Sequence, residues 1–212
     1  MNKRKAGIMF VALGLVMLLE AALLYASYQK RENAAGQFSA VMLQEYHDSD
    51  VKAAESGQPQ QPVQEEYEPV SNYEYREMET VSSNGLDMIG VIRVPSCGIE
   101  LPVLSEWSNS LLEFAPCRYS GNIYDGNLVL MGHNYSTHFK PLKKVKIGET
   151  VEFEDVTGVV WHYCVEEIDS IHRANVEELP SSHELILFTC EEYGVYRFVA
   201  RCKLVDSGAE CS

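Results

Sequence analysis

Positive charge is what this 212-residue chain has least of: 17 lysines and arginines face 31 aspartates and glutamates, for a formal net charge of −14. Setting aside Lys3, Arg4, Lys5 and Glu20, which belong to an N-terminal apolar stretch and its flank, leaves 14 basic residues against 30 acidic ones. A surface that acidic repels phosphate polymers, so nucleic acid is excluded as a partner on long-range electrostatics. The six cysteines lack the tight spacing of a disulfide framework. Cys164 lies inside the strand-like run Val159 to Val165 and reads as a buried, inert thiol. Whether Cys97, Cys117, Cys202 or Cys211 form pairs is left open by their positions.

Residues 6–27 lack charge apart from Glu20, and they lack the short apolar core and small-x-small site of a cleaved signal peptide. At about 1.5 Å per residue they cover a hydrocarbon core of roughly 30 Å, so an uncleaved single-pass anchor is expected. Lys3, Arg4 and Lys5 favour a cytoplasmic N-terminus, with Lys30 and Arg31 pulling weakly the other way. Tyr28 to Asp50 carries Phe38, Val41, Met42 and Tyr46, enough for a short juxtamembrane helix. Ser56 to Asn84 is poor in aliphatics and rich in Gln, Glu, Pro and Ser, the composition of an acidic stalk with too little apolar surface to order itself. Its tyrosines Tyr67, Tyr73 and Tyr75 allow the alternative of a clasp onto the folded part. The expected organisation is a cytoplasmic tip 1–5, an anchor helix 6–27, a juxtamembrane helix and acidic linker 28–85, a catalytic domain 86–207 and a tail 208–212.

From Leu86 onward short apolar or alternating runs recur between turn signals: Met88 to Val94, Ile99 to Leu104, Asn127 to Met131, Thr150 to Phe153, Val159 to Val165, Glu184 to Thr189 and Val195 to Leu204. Seven or eight short strands in about 120 residues predict an all-β closed barrel or sandwich. Short helices are expected at Ser108 to Phe114 and Phe139 to Lys143.

Two of these runs deliver reactive side chains. Leu185-Ile186-Leu187-Phe188-Thr189 ends in Cys190, and Leu128-Val129-Leu130-Met131-Gly132 ends in His133. Glu191-Glu192-Tyr193-Gly194 opens the end of the first run to solvent, which makes a reachable thiol of Cys190. Arg197 and Arg201 are four apart on the next run and so share one face; Arg197 is nearer Cys190 across a hairpin. A thiolate that attacks a carbonyl, an imidazolium that protonates the leaving amine and a guanidinium that holds the oxyanion make up an acyl-transfer site. Among the other histidines, His47, His162, His172 and His183 lack a strand-end position, and His138 is the rival to His133.

Leu187-Phe188-Thr189-Cys190, Arg197-Phe198-Val199 and Met131-Gly132-His133-Asn134 resemble the signatures of the sortases, membrane-anchored cysteine transpeptidases of Gram-positive bacteria. The similarity runs over about residues 86 to 205. It implies an eight-stranded barrel with Cys190 as nucleophile, His133 as general acid/base and Arg197 as oxyanion stabiliser, with Thr189, Asn134 and His138 as candidates for substrate binding. It also implies secreted partners with a Leu-Pro-x-Thr-Gly-like C-terminal motif, cut at Thr-Gly, and an amine acceptor from cell-wall precursor or pilin. No metal or other cofactor is expected, and no carboxylate cluster aligns with a calcium-activated branch. Class B, class D and pilin-type subclasses all remain open, since Glu68-Pro69-Val70 is a poor match to the aromatic lid of the pilin type. The rival readings are a hydrolysing cysteine peptidase and a non-catalytic membrane-tethered binding domain.

Overall fold

The computed structural model describes residues 3–55, 76–179, 183–191, 194–206 and 211. A single α-helix, α1 (Lys3–Glu55), is followed by nine strands among the described residues: β1 (Val81–Ser83), β2 (Leu86–Val94), β3 (Ile99–Leu104), β4 (Cys117–Ser120), β5 (Leu128–Gly132), β6 (Thr150–Asp155), β7 (Val160–His172), β8 (Leu185–Cys190) and β9 (Tyr196–Leu204). They are hydrogen-bonded in the order β1-β2-β3-β4-β5-β8-β9-β7-β6, and β6 returns to β2. The ring β2 to β6 is therefore an eight-stranded closed barrel, with β1 as a short flap outside it. The two expected short helices are 3₁₀ turns at Leu111–Glu113 and Pro141–Lys144, and another lies at Arg173–Glu178.

Strands β5 and β8 are the only parallel neighbours besides the single β3–β4 bridge among the described pairings. They are apolar on both faces, as strands covered on both sides must be. Leu128, Leu130, Leu185 and Leu187 point into the barrel core, while Val129, Ile186 and Phe188 join Val199 and Leu179 in a second cluster on the outside. Seven of these nine side chains come from two uninterrupted sequence runs, which is why the runs show no alternation.

Three sequence expectations are corrected. The helix is not a separate anchor and juxtamembrane piece: α1 is continuous, because no proline occurs before Pro59. Residues 28–46 then lie on the barrel with Glu32, Ala35, Ser39, Met42 and Tyr46 buried, a 3-4-3-4 spacing that forms one stripe. Second, the folded part begins before residue 86. Met78 packs in the barrel core, and Asn84-Gly85, both at positive φ (51° and 76°), turn β1 back onto β2. Tyr67, Tyr73, Tyr75 and Glu68-Pro69-Val70 lie outside the described residues. Third, Cys164 is not a buried free thiol; it is half-buried on β7 and disulfide-bonded to Cys211, with the Cα atoms 5.6 Å apart, so residue 211 is fastened to the barrel wall.

The first part of α1 exposes its side chains from Ile8 to Tyr25, with a mean hydropathy of 2.4 over its most apolar window; it is long and apolar enough to cross a membrane. Its docked part covers Met88, Val91, Leu104 and Cys117 on the outer face of β2 to β4. Burial of that face accounts for the helix lying where it does.

Candidate active site

Register decides which side chains meet at the end of β8. Gly132 of β5 pairs with Thr189 of β8, so the residues that follow, His133 and Cys190, leave two adjacent parallel strands side by side. On the other edge of β8, Cys190 stands directly opposite Arg197 of β9. Opposed residues on one sheet face have Cβ atoms about 4.5–5.5 Å apart. The register thus places Cys190 between His133, which follows β5, and Arg197 of β9.

The alternation along β8 puts Cys190 on the same face as Ile186 and Phe188, outside the barrel. That face is walled by Tyr119, Ile171 and Val176, and the rings of Trp107, Tyr119 and Phe188 follow one another at 5.3 and 5.2 Å. Cys190 is half-exposed, whereas Cys117 and Cys202 are fully buried. Burial pushes the Cys117 thiol up to about 12 and that of Cys202 higher still, so both are inert.

Gly132 is required by what lies beneath the histidine. A Cβ there would overlap the ring of the buried Phe139, whose N–H donates to the His133 carbonyl at 3.0 Å. Thr189 is fully buried, and its hydroxyl donates to the Gly132 carbonyl at 2.8 Å. It ties together the two strand ends that carry Cys190 and His133, and its side chain lies on the face of β8 opposite to that of Cys190. Arg197 donates from Nη1 to the carbonyls of Gly194 and Tyr196 at 3.0 and 3.1 Å, which leaves its other donors unused by these two bonds. Arg201 instead reaches the Leu179 carbonyl and lies 3.7 Å from Glu167, away from the strand end.

His133 is half-buried, and burial holds its imidazole below the usual histidine range, opposed by the nearby Glu113. His138 is buried in the interior. Burial first, and the neighbouring His133 second, push it down to about 4. It is a neutral packing group at neutral pH, five residues from the half-buried His133. His162 lies near Glu152 and His183 near Glu166, while His172, opposite Tyr196 and two strands away from Cys190, accepts the Ala174 N–H.

Three features of the site have no counterpart in the sequence reading. Glu113 brings Oε1 to 3.4 Å from His133 Nε2. Tyr135 stacks on the His133 ring at 4.5 Å. And α1 holds the loop after His133: the Tyr28 hydroxyl donates to the Asn134 carbonyl at 3.2 Å, the Ser136 N–H donates to the Glu32 carboxylate, and the Thr137 hydroxyl donates to the Glu32 carbonyl at 3.0 Å. Asn134 is thus used by α1 through its backbone. Nothing in the spacing of Tyr28 or Glu32 announces a partner more than 100 residues away.

A family model for the sortase domain matches residues 92–205, more than half of the chain. The chain belongs to the sortase family. Sortases are also what its barrel is similar to among solved structures. Listeria monocytogenes sortase A is 24% identical, with 56% of this chain and 88% of that one covered at a TM-score of 0.50. Streptococcus suis sortase C1 is 25% identical over 56% and 73% at 0.50, and a Group B Streptococcus pilus island 1 sortase C2 is 20% identical over 56% and 74% at 0.51. No curated protein matches the chain. Since the matched structures include both sortase A and sortase C proteins, the subclass of this sortase stays open. The family makes it a cysteine transpeptidase.

Proposed function

We propose that this sortase is a single-pass membrane enzyme with its N-terminus in the cytoplasm and its barrel outside. It cleaves a Leu-Pro-x-Thr-Gly-like motif of secreted proteins between Thr and Gly and passes the acyl group to a cell-wall or pilin amine. The observation that carries this reading is the register that sets His133, Cys190 and Arg197 in a row across three adjacent strand ends. In the first half-reaction the Cys190 thiolate attacks the Thr carbonyl, Arg197 donates to the oxyanion, and His133 protonates the leaving glycine nitrogen as the C–N bond breaks. In the second, an amine attacks the thioester, His133 takes its proton, and the thiolate departs. The apolar wall of Tyr119, Ile171, Val176 and Phe188 excludes water, which favours aminolysis over hydrolysis. Arginine suits the oxyanion because it remains charged and offers several fixed donors.

The test incubates the full chain in detergent with a peptide library varied around Leu-Pro-x-Thr-Gly, with and without an amine, and reads products by mass. A new amide formed only when amine is present, absent in Cys190→Ala, is the expected result. Free acid alone, undiminished by added amine, would make the protein a hydrolase. Activity surviving in Cys190→Ala would remove the nucleophile assignment altogether.

A further inference from the structure

We propose that Glu113 is a positioning residue for this reaction: its carboxylate fixes the orientation and tautomer of the His133 imidazole. The inference rests on His133 being the acid/base partner of Cys190, and it adds a fourth side chain, from a fourth stretch of the chain, to that site.

Glu113 closes the 3₁₀ turn Leu111–Glu113 between β3 and β4, and its two carboxylate oxygens go to two different residues. Oε1 lies 3.4 Å from His133 Nε2, and Oε2 accepts the Tyr135 hydroxyl at 2.9 Å. The Tyr135 ring in turn stacks on the imidazole, with centroids 4.5 Å apart and planes 23° from parallel. The imidazole is therefore held at its edge by the carboxylate and on its face by the ring bonded to that same carboxylate. Tyr135 is itself buried and meets Tyr28 of α1 edge-on at 5.4 Å. A glutamate exposed by chance would have no reason to bridge a histidine and a buried tyrosine.

The chemical consequence follows from which nitrogen is taken. A carboxylate beside Nε2 favours the tautomer with the proton there and leaves the lone pair on Nδ1. Nδ1 is then the atom that accepts the proton from the Cys190 Sγ and gives it to the leaving amine, while Glu113 remains ionised and exchanges no proton. Its charge also favours the imidazolium against the burial that disfavours it. Among the described residues, the other charged or titratable groups around the imidazole are Tyr135 and His138 of its own loop, Tyr28, Arg31 and Glu32 of α1, Cys190 of β8 and Arg197 of β9. His138 is neutral near pH 7, and Glu32 is bonded to the Ser136 N–H, so among the described residues Glu113 is the carboxylate paired with the ring.

The experiment uses the full chain in detergent as wild type, Glu113→Gln, Glu113→Asp and Tyr135→Phe. Three readouts are taken: the NMR titration of the His133 ring, the rate of Cys190 alkylation by iodoacetamide mapped by mass, and turnover of a Leu-Pro-x-Thr-Gly peptide. Glu113→Gln keeps the size and the partner for Tyr135 but removes the charge. It is expected to move the His133 midpoint down by about half a pH unit to one unit, to slow alkylation at pH 7 several-fold, and to lower kcat by roughly 10- to 100-fold with KM within about twofold. Glu113→Asp, which retains charge, should recover part of each. Tyr135→Phe should lower kcat by less than Glu113→Gln. An unmoved midpoint together with unchanged alkylation in Glu113→Gln overturns the proposal, whether or not the peptide is cut. A wild type that leaves the peptide intact while the midpoint and alkylation shift as stated overturns the sorting-motif reading and supports the Glu113 assignment.

Discussion

The outer surface of the barrel is covered in two ways, and the two coverings are held differently. Behind the site, β5, β8 and β9 bury Val129, Ile186, Phe188 and Val199 against Leu179 without needing a side-chain hydrogen bond in that cluster. Across β2 to β4, α1 contributes Met42 and Tyr46 to the apolar contact but is fastened by polar bonds as well. Ser39 donates to the Phe114 carbonyl at 3.0 Å, the Ser83 hydroxyl to Glu45 at 2.5 Å, and Tyr46 to Glu154 at 3.3 Å. The first covering fixes strand register, on which the Cys190, His133 and Arg197 arrangement depends. The second fixes where the helix lies, and through Glu32 and Tyr28 it fixes the loop after His133. The proposed catalytic geometry thus draws on a rigid apolar wall for its sulfur and guanidinium, and on a polar-stitched helix for the surroundings of its imidazole.

The largest effect should come from the wall. Phe188→Ala is expected to cost about 3–5 kcal/mol of unfolding free energy, measured by denaturant titration, since the side chain is fully buried and packs against Tyr119. A loss near that of an exposed substitution would break the claim that this cluster sets register. Arg197→Lys tests the same wall for chemistry. It should lower turnover by about 100-fold or more, with KM little changed and the melting temperature kept, because the charge remains but the forked donor is lost. Equal kinetics in that variant would remove Arg197 from the site.

Much of the wall was legible in the sequence because its central strands carry the unbroken apolar runs 128–131 and 185–188, and because His133 and Cys190 follow closely on them. The same two-face burial hid the alternation, so strand identity rested on length and on turn residues. The helix was not legible as part of the domain. Its buried stripe contains Glu32, Ala35 and Ser39, which carry no hydrophobic signal, while the exposed Val41 suggested a different face. The Asn84-Gly85 turn was a readable hairpin signal, obscured by the stalk-like composition on its N-terminal side. Glu113 and Tyr135 could not be assigned from spacing, since their partnership with His133 depends on a bend between β3 and β4 that no local pattern specifies.

The loop under the helix gives a pH test. His138 titrates near 6.5 when unfolded but is pushed down to about 4 when folded. Below pH 6.5 the unfolded chain therefore binds more protons than the folded one, and stability falls as the pH drops from about 6.5 toward 4. The loss attributable to this group should be on the order of 2–3 kcal/mol, and His138→Leu should flatten that part of the unfolding curve. A slope unaltered in the variant would place the acid sensitivity elsewhere. The smallest effect separates polar fastening from apolar contact: Ser39→Ala should cost about 1 kcal/mol. A cost of several kcal/mol would show that the helix is held by its hydrogen bonds more than by Met42 and Tyr46.

Since α1 has no break between the apolar residues up to Ser27 and the first docked residue, Tyr28, the molecule has no swivel at that junction. The nineteen residues from Tyr28 to Tyr46 form a splint about 27 Å long, and its lower end grips the carbonyl adjacent to His133. A tilt or rotation of the apolar segment is therefore delivered to the barrel undiminished. The altitude of the imidazole above whatever plane embeds that segment is set by helix pitch.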